Sequence, residues 1–164
     1  WIVLLLVYAG VISFREIKNN NIKQGLYEFM NYYPEEVACL DSLARQHDLK
    51  NGLATYWKAK RYTMFSREDL RIFTIFESLS PWYHVMNENW YYKEDGQYDK
   101  PRKYNFIITD KMKYEEIDKY LGTPTDTLRC EEPDLELFKF DHFLYDRNKR
   151  RPFYPEEGSV VDDK

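Results

Sequence analysis

Between Pro34 and Asp141 the chain alternates segments of helical apolar spacing with short runs rich in β-branched and aromatic residues. That alternation restricts it to folds in which helices cover a sheet. Pro34-Glu35-Glu36 opens the first helix, with proline at the first helical position and acids in the first turn. Val37, Leu40, Leu43 and Ala44 then share one face, and Asn51-Gly52 reads as the stop. Leu53–Tyr56 reads as a short strand, Trp57–Phe65 as a helix and Leu70–Phe76 (LRIFTIF) as the clearest strand. After the aromatic stretch Pro81–Tyr92 and a polar loop Lys93–Arg102, Tyr104–Thr109 (YNFIIT) reads as a buried strand. Glu115–Leu121 reads as a helix closed by Gly122, and Thr125–Cys130 with Leu135–Asp141 as a hairpin. This order predicts an α/β fold, a three-layer Rossmann-like sandwich whose mostly parallel sheet carries an antiparallel edge hairpin.

Several function classes drop out. No G-x-G-x-x-G and no G-x-x-x-x-G-K-[ST] occurs, so neither a dinucleotide nor a triphosphate site is expected, and no cofactor is assigned. A net charge of −4 argues against a nucleic-acid partner, which needs a basic field to displace counterions. Cys39 and Cys130 are the only cysteines, with no C-x-x-C and no zinc-type Cys/His spacing. A long-range disulfide in an exported domain and two buried free thiols both suit them.

Trp1–Phe14 (WIVLLLVYAGVISF) contains no charge and leads into the polar stretch Arg15–Gln24. Fourteen helical residues rise only about 21 Å, short of a roughly 30 Å hydrocarbon core. The run is therefore expected to be the end of a transmembrane or anchor helix. Residues 15–33 would form a connecting segment, 34–145 the α/β domain and 146–164 a polar C-terminal tail. Arg15, Lys18 and Lys23 beside the run favour a cytoplasmic flank.

Ligands of open α/β sheets sit beyond the carboxyl ends of the strands. That rule singles out Tyr56, Trp57 and Lys60 after the first strand, Glu77 after the second, and Asp110 after the third. An aromatic plane, a cation and two carboxylates suit a sugar or a sugar phosphate, although Asp110 also suits a helix cap and Lys60 a solvated helix face. A second candidate lies in the aromatic stretch with Trp82, His84, Asn89 and Trp90. There, amides and imidazole beside indoles suit carbohydrate hydroxyls, a membrane interface, or plain core packing. Tyrosine contributes 15 residues to an aromatic fraction of 18%, which fits either sugar-binding walls or a tyrosine-rich core. His47, His84 and His142 stand beside no Ser or Cys nucleophile motif, so no catalytic residue and no metal ligand is assigned.

The order of an apolar helix, Val37–Leu49 (VACLDSLARQHDL), Gly52–Phe65 (GLATYWKAKRYTMF) and Leu70–Ile75 carries a resemblance. With the later Tyr104–Asp110 strand and Glu115–Gly122 helix, it resembles the C-terminal soluble region of bacterial multi-pass membrane proteins similar to lipid-phosphate-sugar-dependent (GT-C type) glycosyltransferases. The resemblance covers roughly residues 1–141. It implies a cell-membrane protein whose final transmembrane helix delivers this domain to the extracytoplasmic side, contrary to the basic flank. It also implies that the catalytic acid lies in a loop between earlier helices, so no catalytic residue is carried over. The expected partners are the membrane portion of the parent protein and a saccharide or lipid-linked sugar.

The leading expectation is thus a non-catalytic extracytoplasmic domain, glycosyltransferase-like in parentage, with a carbohydrate-binding role. One alternative is a stand-alone α/β enzyme with Asp110 or Glu77 as acid or base in a closed crevice. Another is a protein-interaction module presenting a contiguous aromatic patch over Trp82–Tyr92.

Overall fold

The computed structural model describes Leu6 and residues 31–85, 87–94 and 97–154. Two compact units divide the chain, Trp1–Tyr33 and Pro34–Lys164, and the second contains the sheet. The apolar run Trp1–Phe14 lies outside the described residues apart from Leu6. Among the described residues no helix is long and apolar enough to cross a membrane.

α1 (Glu35–His47) starts after Pro34, with Glu35 and Glu36 at its positive end and Val37, Leu40, Asp41 and Ala44 buried at helical spacing. It stops earlier than Asn51-Gly52 suggests. Asp48 takes the left-handed conformation (φ 53°) and its N–H closes on the Ala44 carbonyl. Asn51 and Gly52 instead begin β1 (Asn51–Ala54), followed by α2 (Tyr56–Phe65) and β2 (Arg71–Thr74). Asp41, fully buried, accepts from the Ser66 hydroxyl (2.5 Å) and the Arg67 N–H (2.8 Å), tying α1 to the chain leaving α2.

A 3-10 turn (Tyr83–Val85) and α3 (Asn89–Tyr92) break up the aromatic stretch. The expected polar loop forms a small antiparallel pair, β3 (Lys93–Glu94) and β4 (Gln97–Pro101). β5 (Tyr104–Ile108), α4 (Tyr114–Leu121), β6 (Asp126–Cys130) and β7 (Leu135–Asp146) follow as the sequence predicts, except that β7 runs longer. β8 (Arg151–Phe153) pairs with the end of β7, within the stretch expected to be a polar C-terminal tail.

The Rossmann-like, mostly parallel sandwich is not what forms. The main sheet runs β2-β1-β5-β7-β6 with β8 added to β7. Only β1–β2 and β1–β5 are parallel, whereas β5–β7, β6–β7 and β7–β8 are antiparallel. The cause lies in the hairpin. β6 is mostly exposed (Asp126, Thr127 and Arg129 face solvent), whereas β7 buries Leu135, Leu137, Phe140, Phe143, Leu144 and Tyr145. Burial therefore drives the apolar arm between β5 and β6, leaving the polar arm at the edge. On one sheet face an irregular stretch and the eight-residue α4 stand where a Rossmann fold would carry a helical layer.

That face holds the main core, in which Leu53, Phe73, Tyr104, Ile107 and Phe140 of the sheet meet Leu79, Tyr91, Ile117 and Leu121. Much of the tyrosine supply is spent here. Tyr91, Tyr104 and Tyr145 are buried, and their hydroxyls donate to the carbonyls of Thr74, Tyr91 and Leu79 respectively. Burial raises the pKa of all three, so they remain donors and pin the irregular chain to the sheet. Cys39 of α1 is disulfide-bonded to Cys130 at the end of β6, with Cα atoms 6.6 Å apart.

Candidate functional site

The parallel strands β1, β2 and β5 end on the same side, and the segments leaving them enclose a cavity of about 590 Å³. This is the strand-end crevice of open α/β sheets, in the size range of small-ligand sites. From β1 come Thr55, Tyr56 and Trp57, in the first turn of α2; from β5 come Asp110, Lys111 and Lys113. Ile75, Phe76 and Glu77 follow β2 directly, and Trp82 arrives by a tight return.

The return builds an aromatic wall. The Phe76 N–H donates to the Ser80 carbonyl (2.9 Å), Leu79 turns through φ 64°, and the Trp82 N–H reaches back to the Thr74 carbonyl (3.1 Å). Trp82 consequently stacks on Phe76, centroids 4.6 Å apart and planes 8° apart. Tyr56 leans on Trp82 at 5.5 Å, and Trp57 meets Tyr56 edge-on at 4.9 Å. Trp57 remains 79% exposed and Phe76 41%. The Tyr91 hydroxyl holds the Thr74 end of this return and the Tyr145 hydroxyl holds its turn at Leu79, so core packing positions the wall.

Charge surrounds it. Lys58 and Arg61 share Glu36, at 3.3 and 3.5 Å from Oε2, and the buried Tyr62 hydroxyl donates to the same oxygen at 3.3 Å. Burial first, then Glu36, pushes the Tyr62 pKa upward. Glu77 and Asp110 are exposed at the rim, and the Lys113 N–H reaches the Glu77 carbonyl at 3.5 Å, joining the β2 and β5 ends. Lys111 sits at φ 60°, a costly conformation for a residue with a side chain.

Of the residues singled out from sequence, Tyr56, Trp57, Glu77, Trp82 and Asp110 come together in this cavity. Lys60 does not line it. It is exposed elsewhere on α2, and Lys58 and Arg61, three residues apart on one helix face, take the cationic role. His84, Asn89 and Trp90 also lie elsewhere. His84 is exposed, the Asn89 amide oxygen accepts from Arg147 (3.2 Å), and Trp90 is half exposed with its carbonyl held by Arg102 (2.7 Å). Sequence reasoning missed Lys58, Arg61, Phe76, Lys111 and Lys113. Lys111 and Lys113 follow the predicted third strand directly, but nothing local marks the return that brings Trp82 onto Phe76.

A second concavity of about 400 Å³ lies at the amino ends of β1 and β2. Two ion pairs lie along it, Arg45 with Glu68 (2.5 Å) and Lys50 with Asp48 (3.2 Å), and no aromatic residue among the described ones lines it. The buried Arg102 beside it is used structurally, on the carbonyls of Trp90 and Lys93 and the Phe73 ring. Among the described residues no group of His, Cys, Asp and Glu stands ready to hold a metal ion. Comparison of the chain with protein-family models, curated proteins and solved structures finds no match.

Proposed function

We propose that this is a non-catalytic extracytoplasmic domain of a membrane protein of glycosyltransferase-like parentage, and that it holds a saccharide in the strand-end cavity. One observation carries the binding part: Tyr56, Phe76 and Trp82 form an aromatic wall beside charged side chains in a cavity of ligand size. A pyranose ring needs that pairing, an aromatic plane for its C–H face and polar groups for its hydroxyls. The Cys39–Cys130 disulfide supports the extracytoplasmic part, because such bonds persist in oxidising compartments. The apolar run at Trp1–Phe14 and the resemblance in segment order support the membrane parentage.

The enzyme reading fits less well. Acid–base work needs a carboxylate removed from water, and both Glu77 and Asp110 are exposed. The interaction-module reading needs a continuous exposed aromatic patch over Trp82–Tyr92, and burial of Tyr91 and Tyr92 interrupts it. A glycan array probed with the wild-type chain and with Trp82→Ala tests the binding reading. Saccharide signals lost in the variant are expected, and an array blank for the wild-type chain would remove the carbohydrate role. A topology reporter fused after Lys164 tests the compartment, where a cytoplasmic signal would overturn the assignment.

A further inference from the structure

We infer that the saccharide held in the strand-end cavity is an acidic one, carrying a phosphate or carboxylate group on its sugar. This rests on the saccharide reading and adds a charge requirement. Four cations line the cavity (Lys58, Arg61, Lys111 and Lys113) against two carboxylates, Glu77 and Asp110. That excess is opposite in sign to the chain's net charge of −4, so it is a local arrangement rather than the general character of the surface.

The cations differ in their engagement. Lys58 and Arg61 are both drawn to Glu36, which fixes them on the cavity side of α2 and compensates part of their charge. Lys111 and Lys113 are exposed on the loop after β5, two residues apart and beside the aromatic wall. The same cavity receives the first turn of α2, which has neither an acidic residue nor a side-chain cap. The N–H groups of that turn and its positive dipole end add to the lysine field. A neutral sugar stacked on Tyr56 and Trp82 would leave this excess uncompensated, whereas an acidic substituent reaching the β5 loop would neutralise it.

Calorimetric titration of the full 164-residue chain in detergent tests this, using glucose, galactose and mannose, their 6-phosphates, their uronates and inorganic phosphate. For at least one sugar, the acidic form is expected to bind about tenfold or more tightly than the neutral form, and the preference should shrink with added salt. Lys111→Ala/Lys113→Ala should reduce acidic-sugar affinity about tenfold with an unchanged thermal melt. Lys60→Ala, which removes an α2 charge outside the cavity, should leave that affinity as it was. Neutral and acidic sugars binding equally would overturn the charge requirement and leave the saccharide reading intact. Inorganic phosphate binding as tightly as every sugar phosphate, or no binding of any probe, would overturn both.

Discussion

Gly52 offers a sharp test of the packing that positions the site. In sequence it reads as a helix stop; in the structure it lies in β1, directly opposite Phe106 of β5. A β-carbon there would stand 2.2, 2.3 and 2.5 Å from Cζ, Cε2 and Cε1 of Phe106, roughly 1 Å inside ordinary contact. Phe106 is fully buried, so its ring can retreat only by leaving its rotamer or by spreading β1 from β5. Overpacking of this kind costs about 1–3 kcal/mol. The better strand propensity of alanine offsets about 0.5–1 kcal/mol of it. Gly52→Ala should therefore destabilise by up to about 2 kcal/mol, lowering the melting temperature by up to about 8 °C. Urea unfolding followed by circular dichroism, on Gly52→Ala, Phe106→Leu and the double variant, reads this directly. The double variant should be about 1 kcal/mol more stable than the sum of the single losses allows, because the shortened side chain releases the clash. Additive losses would mean that glycine is needed for its backbone alone, and an alanine that stabilises would refute the close-packing argument.

Three further outcomes follow from named contacts. The disulfide spans 91 residues, for which the chain-entropy estimate is about 4–5 kcal/mol, so Cys39→Ala/Cys130→Ala should lower stability by about 2–5 kcal/mol; a wild-type melt indifferent to reductant would contradict it. Arg102→Met leaves the Trp90 and Lys93 carbonyls without their donor and should cost about 2–4 kcal/mol; amide exchange should accelerate over residues 89–101 before it does in the sheet, and uniform acceleration would speak against so local a role. Burial alone would raise the Glu136 pKa, but hydrogen bonds from Tyr114, Thr109 and Arg129 outweigh it and hold this carboxyl below the usual range. Its contribution is therefore complete above the unfolded-state value of about 4.3 and lost as pH falls through the lower folded value, so Glu136→Gln should flatten the acid limb below about pH 4.3. A wild-type and variant acid limb that superimpose would count against that network.

Local chemistry made most elements legible. β-branched and aromatic runs identify β2 and β5, and the acids after Pro34 identify α1. The strand-end rule then reached four lining residues of the cavity, Tyr56, Trp57, Glu77 and Asp110, because it depends only on where parallel strands end. What escaped was decided at a distance. Lys58 and Arg61 line the cavity on a face of α2 that Glu36, distant in sequence, engages. Trp82 reaches Phe76 through a left-handed Leu79, a position where sequence gives no glycine to announce it. β7 enters the sheet between β5 and β6 because its apolar side chains outcompete those of β6 for burial. β8 and the β3–β4 pair carry too few apolar residues for a strand signature, and their neighbours recruit them.

Indole resonances report most directly on whether the aromatic wall at the strand ends receives a saccharide. In a 15N-labelled chain titrated with a saccharide identified on the array, the indole N–H signals of Trp57 and Trp82 should shift with one shared affinity. Trp90, half exposed but outside the cavity, should stay in place. A shift at Trp90 with Trp57 and Trp82 unmoved would locate binding in the other aromatic segment and contradict the assignment of the strand-end cavity.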